Sequence, residues 1–194
     1  MQLRGSARLW GRKESEALNK TKKEEYKLEE GGSDLIAILA DGAFRDALGI
    51  LQKVISFSKN KVISLKEIEE VTGAPNRKLV NDFIDAIAYD NLSLGLEAVE
   101  KATKQNVDMH VFTKMILHKA RLALILKHLP NMKDSLAEDV SDEDLIYLEN
   151  LSKDKPGNIS SETLNTLLDV YQMIQNSTIT QLPLELALIK ILKK

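Results

Sequence analysis

A chain of 194 residues with an apolar share of 43% can form one domain or two small ones around an ordinary globular core. The formal charge of −2 excludes a broadly basic nucleic-acid footprint, and the lack of cysteine excludes a disulfide framework, a thiolate zinc site and a cysteine nucleophile. Aromatic residues supply only 5% against abundant Leu, Ile and Ala, which favours helix packing over a β-sandwich and predicts an all-α chain.

Residues 1–23 are rich in Lys and Arg against Glu14 and Glu16 alone. Without the apolar stretch of a secretory signal they read as a disordered basic leader. No apolar run reaches the roughly 18 residues a membrane span needs. From Glu24 the chain reads as a succession of short amphipathic helices. In "SDLIAILADG" Ser33 or Asp34 is a candidate N-cap, Leu35, Ile36, Leu39 and Ala40 share a stripe, and Gly42 ends the helix. "FRDALGILQKVISFSKN" repeats apolar positions at Phe44, Leu48, Leu51 and Ile55. In "SLKEIEEVTG" Ser64 caps, Glu67 completes a capping box three residues later, and Gly73 supplies the stop. This predicts a three-helix bundle over residues 24–76, with Pro75 of "APN" marking its boundary.

Beyond that boundary, over residues 77–194, the helices lengthen. Leu79, Phe83, Ile84, Ile87 and Ala88 make one stripe, Leu94, Leu96, Ala98 and Val99 another, and residues 109–129 form the longest periodic segment. Residues 131–141 read as a polar loop. Three further helices follow in "EDLIYLENLSK", "SSETLNTLLDVYQMIQNS" and "LPLELALIKILKK", the second opened by Ser160 or Ser161 and the third by Pro183. Charge is unevenly spread: residues 101–133 carry seven Lys or Arg against Asp108 alone, and an acidic block from Asp134 to Glu149 succeeds them. Such blocks are ordinarily solvated faces.

The sequence holds no GxxxxGK[ST], GxGxxG, GxSxG or HExxH motif, so no catalytic constellation is visible. His110, His118 and His128 lie on or beside one helix. His110 and His118 have Lys114 between them and lack a third ligand, so no metal site is assigned. Asp82 and Asp85, with Asn81, read as the polar edge of an amphipathic helix. His110, Lys114, His118 and Arg121 recur at spacings that share a helix face, which suits solvent, nucleic-acid phosphate or an acidic partner. One residue is out of keeping with its position. Arg45 falls in the first turn of a helix, where the macrodipole favours anions over cations, so it is either solvated or turned toward something negative.

"ILADGAFRDALGILQKVI", followed by "ISLKEIEEVTGAP", resembles the lid of the bacterial DNA polymerase III gamma/tau family, the ATPase of the sliding-clamp loader. The family pattern Gly-Ser-x-Arg-Asp-Ala-Leu is matched by Gly42, Arg45, Asp46, Ala47 and Leu48, with Ala43 in place of the usual Ser. "FIDAIAYDNLSLGLEAVEKATKQNVDMHVFTKMILHKARLALILKH" and "LPLELALIKIL" resemble the first part and last helix of the family's collar domain.

The resemblance implies an AAA+ lid over residues 24–76 and a collar that oligomerises over 77–194. It implies that Arg45 is the sensor 2 arginine, which reads the γ-phosphate of bound ATP, with Gly42 letting the backbone approach. Implied partners are the delta and delta-prime subunits and further gamma/tau copies, with homo-oligomers included and DNA and the sliding clamp reached indirectly, in the cytoplasm and away from membranes. ATP and Mg belong to the full-length family context. The nucleotide-binding domain of the family has no counterpart in this sequence, so the chain is expected to be a lid-plus-collar fragment or a degenerate subunit without catalysis of its own. Two other readings stay open: a helical adaptor whose basic face over residues 110–121 binds an acidic partner or nucleic acid, and an AAA+ relative outside replication.

Overall fold

Helix boundaries in this chain are set by a few polar side chains at turns and by a small-residue face in the second half. The computed structural model describes residues 26–40, 43–136, 140–154 and 158–193. The basic leader, Gly42 and most of the turn before Phe44 lie outside the described residues. Among those described there are ten α-helices and one two-residue parallel ladder, in two units: residues up to 72 with 132–146, and residues 73–131 with 147–194. No described helix is long and apolar enough to cross a membrane.

In the first unit β1 (Lys27–Leu28) pairs in parallel with β2 (Val62–Ile63), Leu28 opposite Ile63. A ladder this short carries no periodicity, which is why the sequence from Glu24 reads as helix throughout. Around it pack α1 (Gly32–Leu39), α2 (Phe44–Phe57) and α3 (Leu65–Thr72). The start of α1 differs from expectation: neither Ser33 nor Asp34 caps it. Gly31 holds the cap position at φ 80°, a left-handed conformation suited to glycine, and its carbonyl accepts from Leu35 N–H at 3.0 Å. Gly32 can then lie close to α3, where a β-carbon would come within 3.2 Å of Ile68 Cδ1. The core comprises Ile36, Leu51, Val54, Ile63 and Ile68, so the buried stripe of α2 is Leu51 and Val54, while Phe44 is 37% exposed. The capping box is formed as expected: Glu67 Oε2 accepts from Ser64 N–H at 2.8 Å, and Ser64 Oγ accepts from Glu67 N–H at 3.3 Å. The hydrogen bond from the Ser64 backbone is the main cause holding the Glu67 carboxyl below its ordinary range. After Pro130–Met132, a 3-10 turn, α7 (Lys133–Leu136) occupies part of the stretch expected as a loop, and its buried Leu136 gives that helical turn an apolar anchor.

The second unit contains α4 (Arg77–Ala88), α5 (Leu92–Lys104), α6 (Met109–His128), α9 (Ser161–Ile174) and α10 (Leu182–Leu192), joined by the C-terminal part of α8 (Asp142–Asp154). Gly73, at φ 68°, provides the expected stop after α3, and its carbonyl accepts from Asp108 N–H at 2.9 Å. Polar caps fix the starts of α4, α5, α6 and α9: Asn76, Asn91, Asp108 and Ser160 accept from backbone N–H groups of their first turns. The helices pack as a closed circuit, with α4 on α5, α5 on α10, α10 on α9, α9 on α6 and α6 back on α4. Phe83 of α4 and Phe112 of α6 are fully buried and meet edge to face, ring centroids 5.9 Å apart. The buried face of α5 is Gly95, Ala98, Val99 and Ala102; Leu94 and Leu96, expected in its stripe, are only half-buried. At the open end of α4 the Tyr89 hydroxyl donates to Asp154 Oδ2 at 2.7 Å, and that bond is the main cause pushing the phenol up to about 12.

Candidate functional site

Arg45 is the second residue of α2, preceded by Ala43 in extended backbone at the N-cap. Ala43 has no side chain with which to cap, and the first amide to close an α-helical turn is Ala47 N–H, on the Ala43 carbonyl at 3.0 Å. Earlier amides of α2 are left for other acceptors, as at any helix start. Arg45 is exposed, and no described side chain forms an ion pair with it. An exposed guanidinium beside first-turn amides suits an anion, with Asp46 as a local counterweight. Gly42, expected to bring the backbone close, lies outside the described residues.

The face expected over residues 110–121 is not an open basic strip. The His110 ring stacks on Tyr171 of α9 with centroids 4.1 Å apart, and its Nε2 lies 3.0 Å from Gln175 Nε2. Lys114 and His118 are half-buried, which leaves Arg121 exposed. No group of three or more His, Asp or Glu among the described residues could hold a metal ion.

A second polar cluster lies where the sequence suggests a wet helix edge. Lys119 of α6, 8% exposed, donates to Asn81 Oδ1 at 2.6 Å, and its Nζ lies 5.1 Å from the centroid of the Tyr147 ring. The Tyr147 hydroxyl donates to Asp85 Oδ1 at 2.7 Å. Asp85 is therefore drawn inward, and desolvation raises its pKa despite the Tyr147 hydrogen bond and the charge of Lys119. The cluster joins α4, α6 and α8 through these contacts. No sequence signal marks it, because Asn81, Asp85 and Lys119 come from two helices whose facing is a tertiary fact.

The sign of its pH dependence follows. A carboxyl in water titrates near about 3.9, and a raised folded value means that the native state binds the proton more tightly than the unfolded chain. Stability from this group is then greatest at low pH and falls as pH rises from the ordinary carboxylate range through the raised value. Asp85→Asn keeps an acceptor for Tyr147 and removes the titration. Relative to wild type it should gain in urea midpoint as pH is raised from acidic to neutral. An unchanged difference across that range would show that Asp85 is not desolvated.

The remaining candidate surface is apolar. On α9 and α10 the exposed large side chains are Leu168, Met173, Leu182, Leu186 and Ile189, with Ile179 in the turn between the helices. Most of the apolar helix surface of this unit is used internally. Phe83, Phe112, Leu122 and Leu126 are buried in the unit's own core, whereas α10 has apolar residues left over on its outer side. The sequence signal was available in "LPLELALIKIL", where apolar residues occupy both faces of a short helix.

The chain is similar to the DNA polymerase III subunit tau of Bacillus subtilis (strain 168), 26% identical over 168 residues, which cover 87% of this chain and 29% of that protein. It thus spans under a third of the length of that curated relative. Among solved structures, the Bacillus subtilis DNA clamp loader delta protein matches with a TM-score of 0.50 and 18% identity, covering 95% of this chain and 57% of that one. At that identity the likeness concerns the fold. The family model for domain III of DNA polymerase III subunits gamma and tau matches residues 63–194, well over half of the sequence and the whole helical circuit from α4 to α10. The chain belongs to the DNA polymerase III gamma and tau domain III family.

Proposed function

We propose that the chain serves the clamp loader of DNA replication, with residues 77–194 acting as a collar that holds loader subunits together and residues 24–76 acting as a lid. The observation that carries this reading is the coincidence of the domain III match with a helical unit that leaves an apolar outer face on α9 and α10. Exposed apolar residues grouped along a helix mark interaction surfaces rather than solvated ones. Partners on this reading are further gamma/tau copies and the delta and delta-prime subunits, with DNA and the sliding clamp reached through them, in the cytoplasm.

Arg45 is assigned here to the phosphates of a nucleotide. The sequence has no phosphate loop, so Arg45 and the first-turn amides of α2 would approach ATP and Mg held elsewhere in the loader. A guanidinium suits this work because it stays charged and presents a planar fork to phosphate oxygens. In this reading Arg45 senses the γ-phosphate and makes no bond itself, and the chain alone carries out no hydrolysis. The adaptor reading loses its main support, since His110 of the basic face is taken up by Tyr171 and Gln175.

The test is sedimentation velocity over a wide concentration range, alone and mixed with delta and delta-prime subunits. Association that survives moderate salt is expected, because apolar contacts are not screened as charge contacts are. A monomer in every mixture would overturn the collar assignment. Arg45→Ala should change neither that association nor the melting temperature, because an exposed arginine without a described partner contributes within about 0.5 kcal/mol to stability. Loss of assembly in that variant would make Arg45 structural.

A further inference from the structure

The short ladder of the first unit has an edge that the unit itself does not cover. Along β2 the Lys61 carbonyl accepts from Lys27 N–H at 2.7 Å, and the Ile63 carbonyl accepts from Glu29 N–H at 2.9 Å. Residues 61 and 63 therefore turn their backbone groups to β1, and the alternation of a strand turns those of Val62 to the opposite edge. There neither the Val62 N–H nor its C=O is hydrogen-bonded to a described residue. The Val62 side chain, 57% exposed, lies on the outer face beside its ladder partner Lys27, also exposed, while Ile63 points into the core.

The charge around this edge has one sign. From Ala47 to Lys66 the sequence holds Lys53, Lys59, Lys61 and Lys66 and no Asp or Glu. All four lysines are exposed, and Lys53 and Lys59 are in no ion pair with a described residue. Two acids of the unit are engaged elsewhere: Glu29 accepts from Leu65 N–H and Glu67 from Ser64 N–H, each at 2.8 Å. An open edge flanked by lysines repels a second copy of itself. A polyphosphate chain would meet the lysines but has only acceptors to offer, which leaves the Val62 carbonyl unmatched. A peptide backbone carries a donor and an acceptor on each residue, so one antiparallel residue can exchange both bonds with Val62.

We infer that the outer edge of β2 pairs, by strand addition at Val62, with an extended acidic peptide segment of a partner protein. Backbone bonds at Val62 fix the register, an apolar partner residue lies beside its side chain, and Lys53, Lys59 and Lys61 select for flanking carboxylates. This surface belongs to the first unit and does not depend on the collar reading.

Fluorescence anisotropy of the whole chain with a labelled Asp-Ile-Asp-Val-Asp-Ile-Asp peptide tests it. Saturable binding that weakens with added salt is expected. Methylating the central valine nitrogen of the peptide should weaken binding about tenfold, since it removes the donor and crowds the edge. Lys59→Glu should weaken it about threefold to fivefold at low salt. Val62→Pro should weaken it about threefold to tenfold with little change in melting temperature, because the Val62 N–H is not part of the ladder. In amide hydrogen exchange the Val62 N–H should be slowed when the peptide is saturating. Equal binding of the N-methylated peptide, or an unprotected Val62 amide, would overturn strand addition. Equal binding of a peptide with lysine in place of aspartate would overturn the acidic selection. Stronger binding of a seven-residue oligothymidylate at the same site would overturn the peptide as partner, and no binding up to about 1 mM peptide would overturn the surface.

Discussion

Replacing Phe112 by alanine should destabilise the second unit by about 3–5 kcal/mol, the range for a large aromatic side chain removed from a packed core. Phe112 is 0% exposed and its ring meets Phe83, also 0% exposed, at 73° with centroids 5.9 Å apart. Two terms add. Truncation forfeits the transfer free energy of the ring and leaves a cavity between α4 and α6, which the closed circuit of helices can fill only in part. It also removes an edge-to-face contact worth about 0.5–1.5 kcal/mol beyond area. Phe112→Leu separates the two, since it keeps most of the volume and loses the aromatic geometry. It should cost about 1–2 kcal/mol. Urea unfolding followed by far-UV circular dichroism measures both variants. A cost below about 1 kcal/mol for Phe112→Ala would mean that the ring does not sit between these helices.

Phe83 and its stripe were legible in the sequence because α4 alternates buried and exposed residues at helical spacing: Leu79, Phe83, Ile84, Ile87 and Ala88 are all buried as expected. Caps were legible for the same local reason. Ser64 with Glu67, Gly73, Ser160 and Pro183 act within a turn of their own positions, so the chain's immediate neighbours decide them. Where a distant element decided, the reading failed. Gly31 rather than Ser33 starts α1, which brings Gly32 close to Ile68, and Leu28 forms a ladder with a strand far along the chain.

The candidate sites divide likewise. The motif around Arg45 is contiguous and could be recognised, whereas His110 was assigned to an open basic face because nothing local predicts the Tyr171 ring stacked on it. Asp85 looked like a wet edge until Tyr147 and Lys119 were placed against it. The outer stripe of α10 lay between these cases. Its apolar residues were plain, but only the burial of Leu184 and Leu188 shows which face belongs to the core and which stays exposed.

Gly95 shows how one small residue sets the spacing of that circuit. Valine there should cost about 3 kcal/mol or more, whereas Gly49→Ala should stabilise the chain by about 0.5–1 kcal/mol. Both glycines sit inside helices, where glycine is normally a liability and a side chain improves helix propensity. Their surroundings reverse the outcome. A β-carbon on Gly49 would meet nothing within 4 Å, so only the propensity term remains. A β-carbon on Gly95 would lie 2.9 and 3.0 Å from the two δ-methyls of Leu188 and 3.1 Å from Ala86 Cβ. Leu188 is 0% exposed and has little free space to turn into, and the Ala86 contact comes directly off the α4 backbone. Even Gly95→Ala would force α5 away from α4 and α10 together. Valine adds two γ-carbons to that clash and the χ1 restriction of a β-branched residue in a helix. Because α10 packs on α5, the displacement should also reach the outer stripe. Gly95→Val should therefore lose thermal stability and, at temperatures where it remains folded, self-associate more weakly than wild type. If thermal melts rank Gly95→Val at or above wild type, α5 does not approach α10 through Gly95, and the placement of the stripe loses its support from beneath.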